Sequence, residues 1–359
     1  MQALHIHGDI RQAHTLPGWF YKSREAFETV KEKIFASAWM YVADATALGE
    51  PHSVYPFTLL PGVLDEPLVF TKDAEAQLHC LSNVCTHRGK IVVEQVGKAR
   101  LLSCNYHGRC FRLDGSFKSM PEFQEVENFP SPLDDLTKVP FAEWMGMLFV
   151  SLDPKVHFSE MIQPIQEQIG WMPLDTLVFS PEQSQDYFIE SNWALYCDNY
   201  LEGFHIPFVH PALNQAIDFK QYQYEIFPYC NLQIGIAKEE EPCFDIPAGA
   251  PHYGEKIYGY YFWLFPNLML NFYPWGLSMN IVEPLSQDRT VVKYRTYFFE
   301  GTKFDRGLNQ IDQTEMEDEA VVESVQKGLQ SRFYQQGRFS PRQERGVHHF
   351  HQLVSQFLS

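Results

Sequence analysis

Two short segments carry the residues best suited to hold a metal cofactor. Cys85-Thr86-His87-Arg88-Gly89 is followed, after 16 residues beyond His87, by Cys104-Asn105-Tyr106-His107-Gly108. Each segment offers one thiolate and one imidazole. A tetrahedral zinc also takes two of each, but its usual text puts both cysteines in one close pair and both histidines in another. Here the ligand types alternate. That suits an iron–sulfur centre in which two thiolates hold one iron and two neutral imidazoles replace thiolates on the other. Gly89 and Gly108 let each loop turn close to such a centre. The bland alternative is four unrelated polar residues that match by chance.

A second constellation begins at Asn192-Trp193 and continues as Asp198-Asn199-Tyr200-Leu201-Glu202-Gly203-Phe204-His205-Ile206-Pro207-Phe208-Val209-His210-Pro211. Glu202 and His205, three apart, are expected to share a helix face. The five-residue step from His205 to His210 would swing about 140° on an ideal helix, so Pro207 is expected to supply a distortion. Two histidines and one carboxylate on one side of an iron(II) leave the opposite positions open for O2 and substrate. A pair of hydrogen-bonded core histidines at a helix end is the competing interpretation.

The first motif resembles the Rieske domain, in its oxygenase branch. Respiratory Rieske proteins carry an extra cysteine in each loop, whereas Lys90 and Asn105 stand at those places here, so no disulfide bracing the cluster is expected. One departure is Arg109, where the oxygenases usually have Trp after His-Gly. The second motif resembles the family signature Asn-Trp, then Asp-Asn, then acid-x-x-His-x-x-x-x-His. Together they resemble Rieske oxygenase α subunits across nearly the whole chain.

The resemblance implies a 2Fe-2S cluster on Cys85, His87, Cys104 and His107, and a mononuclear Fe(II) on His205, His210 and a carboxylate from a late acidic helix. Glu315-Met316-Glu317-Asp318-Glu319 is the dense candidate. Val321, Val322, Val325 and Leu329 fall three, four, seven and eleven residues after Asp318, so periodicity puts Asp318 at the head of a buried stripe. Glu317, Glu319 and Glu323 are read as the solvated face. The family also implies that Glu202, usually Asp, is the catalytic bridge in a route from His107 through Glu202 to His205 across a subunit boundary. A cyclic homotrimer follows, with no small partner subunit.

The elements needed to position these residues can be read coarsely. A chain of 359 residues is long enough for two modules. Residues 1–39 are expected to form an N-terminal helical segment, with an amphipathic helix from Ser23 to Trp39, packing on the larger domain. Residues 40–155, with short apolar runs such as SVYPFTLL and MGMLFVSL between turn residues, are expected to form the small all-β Rieske domain. Residues 156–359 mix helical stretches with strands, which predicts an α+β catalytic domain with an antiparallel sheet and a long helix, of helix-grip or START-like type.

Composition narrows the partners. A net charge of -17 disfavours binding to nucleic acid or an anionic membrane. No apolar run of about 18 residues occurs, and the start lacks the pattern of a secretory signal, so a cytoplasmic location is expected. The seven cysteines are too scattered for a disulfide framework; outside the motif they are read as small buried hydrophobes. His348, His349 and His351 could be mistaken for a third metal site, but are read as surface or packing residues of a helix.

Ile257-Tyr258-Gly259-Tyr260-Tyr261-Phe262-Trp263-Leu264-Phe265 and Leu270-Asn271-Phe272-Tyr273-Pro274-Trp275 are dense in aromatics. Most belong to a sheet core, but alternation sends some rings to a cavity. Aromatic faces attract quaternary ammonium groups, and PNLMLNFYPWGLSMNIVEPL resembles the choline monooxygenase group. The expected function is an O2-dependent hydroxylation or oxidative demethylation of a quaternary amine (choline, a betaine or carnitine). An aromatic ring or aromatic acid is the alternative substrate. A pure electron carrier and a ligand-binding protein are the competing classes. With no flavin or nicotinamide fingerprint present, electrons are expected from a separate NAD(P)H-dependent reductase or ferredoxin.

Overall fold

The computed structural model describes residues 4–302 and 309–359. Two compact units result, one of Ala36–Pro154 and the other of Met1–Phe35 with Lys155–Ser359.

The smaller unit is built from short antiparallel strands. Ser53–Leu59 pairs with Glu66–Lys72, which pairs with Leu78–Ser82. Leu102–Ser103, Cys110–Phe111 and Phe117–Ser119 form a second sheet, and Met40–Asp44, Met147–Val150 and Phe141–Trp144 a third. Val54, Val69, Leu81, Leu102, Phe111 and Leu113 make one buried cluster with Cys85 and Cys104. The two cysteines are therefore held by the core itself.

The larger unit contains a seven-stranded antiparallel sheet. Its strand order is Leu177–Ile189, Arg289–Phe299, Gly276–Ser286, Leu268–Tyr273, Ile257–Leu264, Cys230–Ile236 and Gln223–Phe227. Sequential hairpins account for all but the first pairing, so the register is set locally. Gln233 lies opposite Tyr261, Tyr261 opposite Asn271, and Asn271 opposite Ser278. That row of side chains runs across four strands and lines a cavity.

Helix Trp193–Tyr200 packs against helices Asn309–Gly328 and Arg345–Leu358 and against strand Gly276–Ser286. Asn192 caps it by accepting the Ala194 N–H at 3.0 Å, and is tied to Gln326, Gln287 and Tyr21. Trp193 is buried edge-on against Phe35 and Phe350. The Asn-Trp pair is thus the anchor of the site helix.

The helix expected from Ser23 to Trp39 runs from Arg24 and ends early, at Phe35. Gly18–Lys22 and Arg24–Val30 are separate helices, and the wider π-helical turn Lys31–Phe35 ends the run. A π turn adds one residue to the repeat, which keeps Val30, Ile34 and Phe35 all buried. Cys243 is exposed and Cys110 half-buried, so neither is the buried small hydrophobe expected; Cys80, Cys197 and Cys230 are.

The three histidines of the closing helix do pack. His351 accepts the Leu16 N–H on Nδ1 at 3.0 Å, which leaves Nε2–H to donate to Asp198 at 2.8 Å. His348 reaches the His7 carbonyl and His349 the Asn231 side chain.

The start of this helix sits directly on the chain leading into the second motif. A Cβ on Gly346 would lie 2.4 Å from the Leu201 carbonyl oxygen. Gly346→Ala is therefore expected to destabilise by about 1–3 kcal/mol through overpacking, read as a lower thermal midpoint by circular dichroism. An unchanged midpoint would show that the helix gives way freely.

Candidate cluster and metal centres

In the smaller unit, the two Cys-x-His loops bring all four expected residues together. Cys85 and Cys104 are buried, with the Cys104 thiol against that of Cys85. The rings of His87 and His107 lie 4.8 Å apart between centroids, His87 half-buried and His107 exposed. Gly89 and Gly108 adopt φ of 71° and 74°, a conformation that penalises other residues. Burial pushes the Cys85 thiol up, the amides of His87 and Arg88 pull it down, and Cys104 adds an upward push. Burial and then the neighbouring His107 hold His87 below the usual histidine value, in the neutral form a metal needs. Two inward thiols, with amide donors on that of Cys85, and two outward imidazoles fit an asymmetric two-iron cluster with its histidine side toward the surface of this unit.

The larger unit assembles the second constellation at a break in the helix. Trp193–Tyr200 ends before Glu202, and a turn leads into the short helices Ile206–Val209 and Pro211–Ala216. Pro207 and Pro211 each sit in a first turn, where the missing N–H costs nothing. Glu202 and His205 therefore lie in a turn rather than on a shared helix face. Glu202 nonetheless reaches His205: its Oε1 is 2.7 Å from Nδ1, and its Oε2 accepts the N–H groups of Phe204 and His205.

Each imidazole is held by a different carboxylate on its far side. His210 Nδ1 lies 2.8 Å from Glu317 Oε2. That overturns the expectation of Glu317 as a solvated acid, because the helix Asn309–Gly328 turns both Glu317 and Asp318 toward the histidines. The two Nε2 atoms face Asp318 Oδ1, at 3.0 Å from His210 and 3.7 Å from His205. Ligand atoms of His205, His210 and Asp318 all lie within 4.8 Å of one another. Asn199 donates to the same Asp318 oxygen at 3.0 Å.

Burial alone would lower the His210 pKa, but Asp318 and Glu317 outweigh it and raise the value. Two imidazoles among three carboxylates make a pocket that favours a cation, and both Nε2 lone pairs converge on one point. A divalent metal of borderline character fits that donor set.

The late helix is buried along a different line from the one expected. Glu315, Val322, Gln326 and Leu329 face inward, whereas Val325 is exposed. Glu315, unremarked by periodicity, is fully enclosed and accepts hydroxyl hydrogens from Tyr196 and Tyr294. Burial pushes its carboxyl up to about 8, against the downward pull of the two tyrosines, so it is a neutral acid near pH 7. Asn280 joins Tyr196, and Asn271 joins Asn280, giving a polar network along the cavity wall that no local sequence signal announces.

The cavity beside the histidines has a volume of about 860 Å³. Tyr200, Tyr222, Tyr258, Tyr261, Tyr273 and Trp275 supply its aromatic surface, and Glu202, Glu241 and Asp318 its acids. Among the described residues lining it, none is Lys or Arg.

Comparison with known proteins gives a consistent result. A family model for the ring hydroxylating alpha subunit (catalytic domain) matches residues 174–359, and one for the Rieske [2Fe-2S] domain matches 38–130. The carnitine monooxygenase oxygenase subunit of Escherichia coli (strain K12) is 30% identical, over 96% of this chain and 94% of that protein. The chloroplastic choline monooxygenase of Beta vulgaris is 28% identical, over 94% of this chain and 76% of the relative. The crystal structure of the quaternary ammonium Rieske monooxygenase CntA with L-carnitine superposes with a TM-score of 0.76 at 26% identity, covering 98% of this chain and 97% of that one. Naphthalene 1,2-dioxygenase, at 15% identity and a TM-score of 0.69, shares the fold.

Glu317→Ala should weaken binding of the mononuclear metal about 10- to 100-fold, as loss of a carboxylate behind a metal-bound imidazole does. Titration of the metal-depleted protein with Fe(II) checks this. Unaltered affinity would mean that the Glu317–His210 contact does not orient a ligand.

Proposed function

This chain belongs to the ring-hydroxylating α subunits that carry a Rieske domain, and from that membership we propose that it oxidises a net-cationic quaternary amine. It is a Rieske non-haem iron oxygenase with a 2Fe-2S cluster and a mononuclear iron as cofactors. In the proposed assignment Cys85, His87, Cys104 and His107 hold the cluster, and His205, His210 and Asp318 hold the iron. When bound, these groups deliver single electrons and activate O2.

The chain's own residues shape the rest. Glu202 and Glu317 fix the imidazoles through Nδ1, and Asn199 steadies the Asp318 carboxylate. Glu202 is also the proposed bridging acid between the two centres. A solved relative is described in terms of inter-subunit electron transfer, which supports a bridge acting between copies of the chain; the assembly proposed is a homotrimer. Electrons come from a separate NAD(P)H-dependent reductase or ferredoxin in this reading. Seven unpaired cysteines support a cytoplasmic location.

The observation that carries the substrate class is the cavity lining. Tyrosine and tryptophan faces attract a quaternary ammonium by cation–π interaction, and the carboxylates around them reinforce a positive charge. A substrate carboxylate meets no Lys or Arg among the described lining residues, which counts against an aromatic acid and against the anionic end of a betaine. The relatives named for carnitine and choline favour the quaternary head itself. Substrate oxidation takes one O2, two electrons and two protons, and yields water with the hydroxylated product, or with the demethylated amine and an aldehyde.

O2 uptake with a surrogate reductase tests this on matched pairs: choline against glycine betaine, and carnitine methyl ester against carnitine. Each cation should show at least a roughly tenfold lower KM than its zwitterion, a difference of about 1.4 kcal/mol. Turnover of benzoate or another aromatic acid, with none of any quaternary amine, would overturn the proposal.

A further inference from the structure

The two loops that carry Cys85 and Cys104 are near copies of one another. In each, the cysteine N–H bonds the carbonyl five residues on, of Lys90 and of Arg109 respectively, both at 2.8 Å. In each, the glycine N–H returns to the cysteine carbonyl, at 2.9 Å for Gly89 and 3.0 Å for Gly108. The fifth residues then diverge. Lys90 pairs with Glu94 at the surface, whereas Arg109 turns inward and is 2% exposed.

The Arg109 guanidinium lies among three rings, 5.1 Å from the centroid of Phe117, 5.5 Å from Phe129 and 5.7 Å from Phe111. Its Nη2 donates to the Asp134 carboxylate at 2.7 Å and to the Asp134 carbonyl at 3.0 Å. That same carbonyl accepts the Thr86 hydroxyl at 2.8 Å, and Thr86 belongs to the first loop. Asp134 is itself fixed, its Oδ2 accepting the N–H and hydroxyl of Ser131 at 2.7 and 3.0 Å. One residue outside both loops therefore grips both.

Packing alone does not account for an arginine here. An apolar side chain of similar volume would fill the phenylalanine cage without desolvating a charge. Its Nε also lacks a hydrogen-bond partner, a further cost of enclosing a guanidinium.

We propose that Arg109 is a positioning residue for the 2Fe-2S cluster. With Asp134 and Thr86 it clamps the two ligand loops together, in the role of the cross-loop disulfide that the chain lacks, and it places a fixed positive charge two residues from His107. The clamp rests on the assignment of Cys85, His87, Cys104 and His107 as cluster ligands. Arg109 balances the Asp134 carboxylate, whose charge alone would disfavour the more negative, reduced cluster, so loss of the arginine by itself lowers the midpoint potential.

The test uses the full-length holoenzyme, following cluster absorbance under chelator challenge and the midpoint potential by redox titration. Thr86→Val removes one hydrogen bond from the first loop and should lose the cluster about fivefold faster. Arg109→Lys keeps the charge but not the fork; its cluster should be lost about tenfold faster at an unchanged midpoint. Arg109→Met leaves the Asp134 carboxylate uncompensated and should lower the midpoint, whereas Arg109→Met combined with Asp134→Asn removes both charges and should return it toward the natural value. Natural cluster lifetimes in both Thr86→Val and Arg109→Lys would overturn the clamp, whether or not the double variant folds. A midpoint that stays put or rises in folded Arg109→Met would overturn the electrostatic part. Zinc with no Rieske absorbance in the natural protein would instead remove the ligand assignment on which the clamp rests.

Discussion

The catalytic unit depends on the hydrogen bond between an imidazole Nδ1 and a carboxylate, made twice. Glu202 takes His205 and Glu317 takes His210, so each ring is fixed in the tautomer that leaves Nε2 free. Without those two contacts the rings could rotate, and the convergence of both Nε2 atoms on Asp318 would be lost. Much of the surrounding architecture serves to bring the carboxylates to the rings. The Asn192 cap and the Trp193 anchor hold the helix that leads to Glu202. The break after Tyr200 frees Glu202 to fold back on His205, and Gly346 lets the last helix press on the Leu201 carbonyl behind it. The helix Asn309–Gly328 supplies Glu317 and Asp318 from one turn, Glu317 behind the His210 ring and Asp318 facing both Nε2 atoms.

Charge ties this site to its cavity. Three carboxylates around two histidines attract a metal cation, and the same negative surroundings extend into a cavity of tyrosines. Burial raises the Glu315 carboxyl and so disfavours its charged form, and it holds Tyr196 and Tyr294 in the wall. The cationic substrate proposed for the cavity and the metal proposed for the histidines would thus be favoured by the same carboxylates.

Fold class, and the fact that the residues of each motif come together, were legible because each has a short-range signature: alternating Cys and His in Gly-terminated loops, and hairpin-connected strands whose register is local. The Asn-Trp pair was visible as text, although its mechanical role as cap and anchor emerges only from tertiary contacts. Periodicity placed Asp318 toward the interior but misassigned its neighbours. It counted Val325 as buried and Glu317 as solvated, because a polar stripe satisfied by tyrosine and histidine partners looks like a surface. The Glu315 network was invisible for the same reason, since its partners lie about 20 and 120 residues away. Arg109 stood out only as a departure from a family pattern, and the cage that receives it comes from Phe111, Phe117 and Phe129, which no spacing rule links.

Asp318 is the carboxylate proposed to complete the mononuclear site, and metal analysis of Asp318→Ala tests that directly. Iron and acid-labile sulfide should be measured together on protein purified with its cluster intact. The expected result is a fall from about three irons per chain to about two, with sulfide and the visible spectrum of the cluster unchanged. Iron that stays near three per chain, with turnover retained, would contradict the account and place the third ligand elsewhere on the acidic helix.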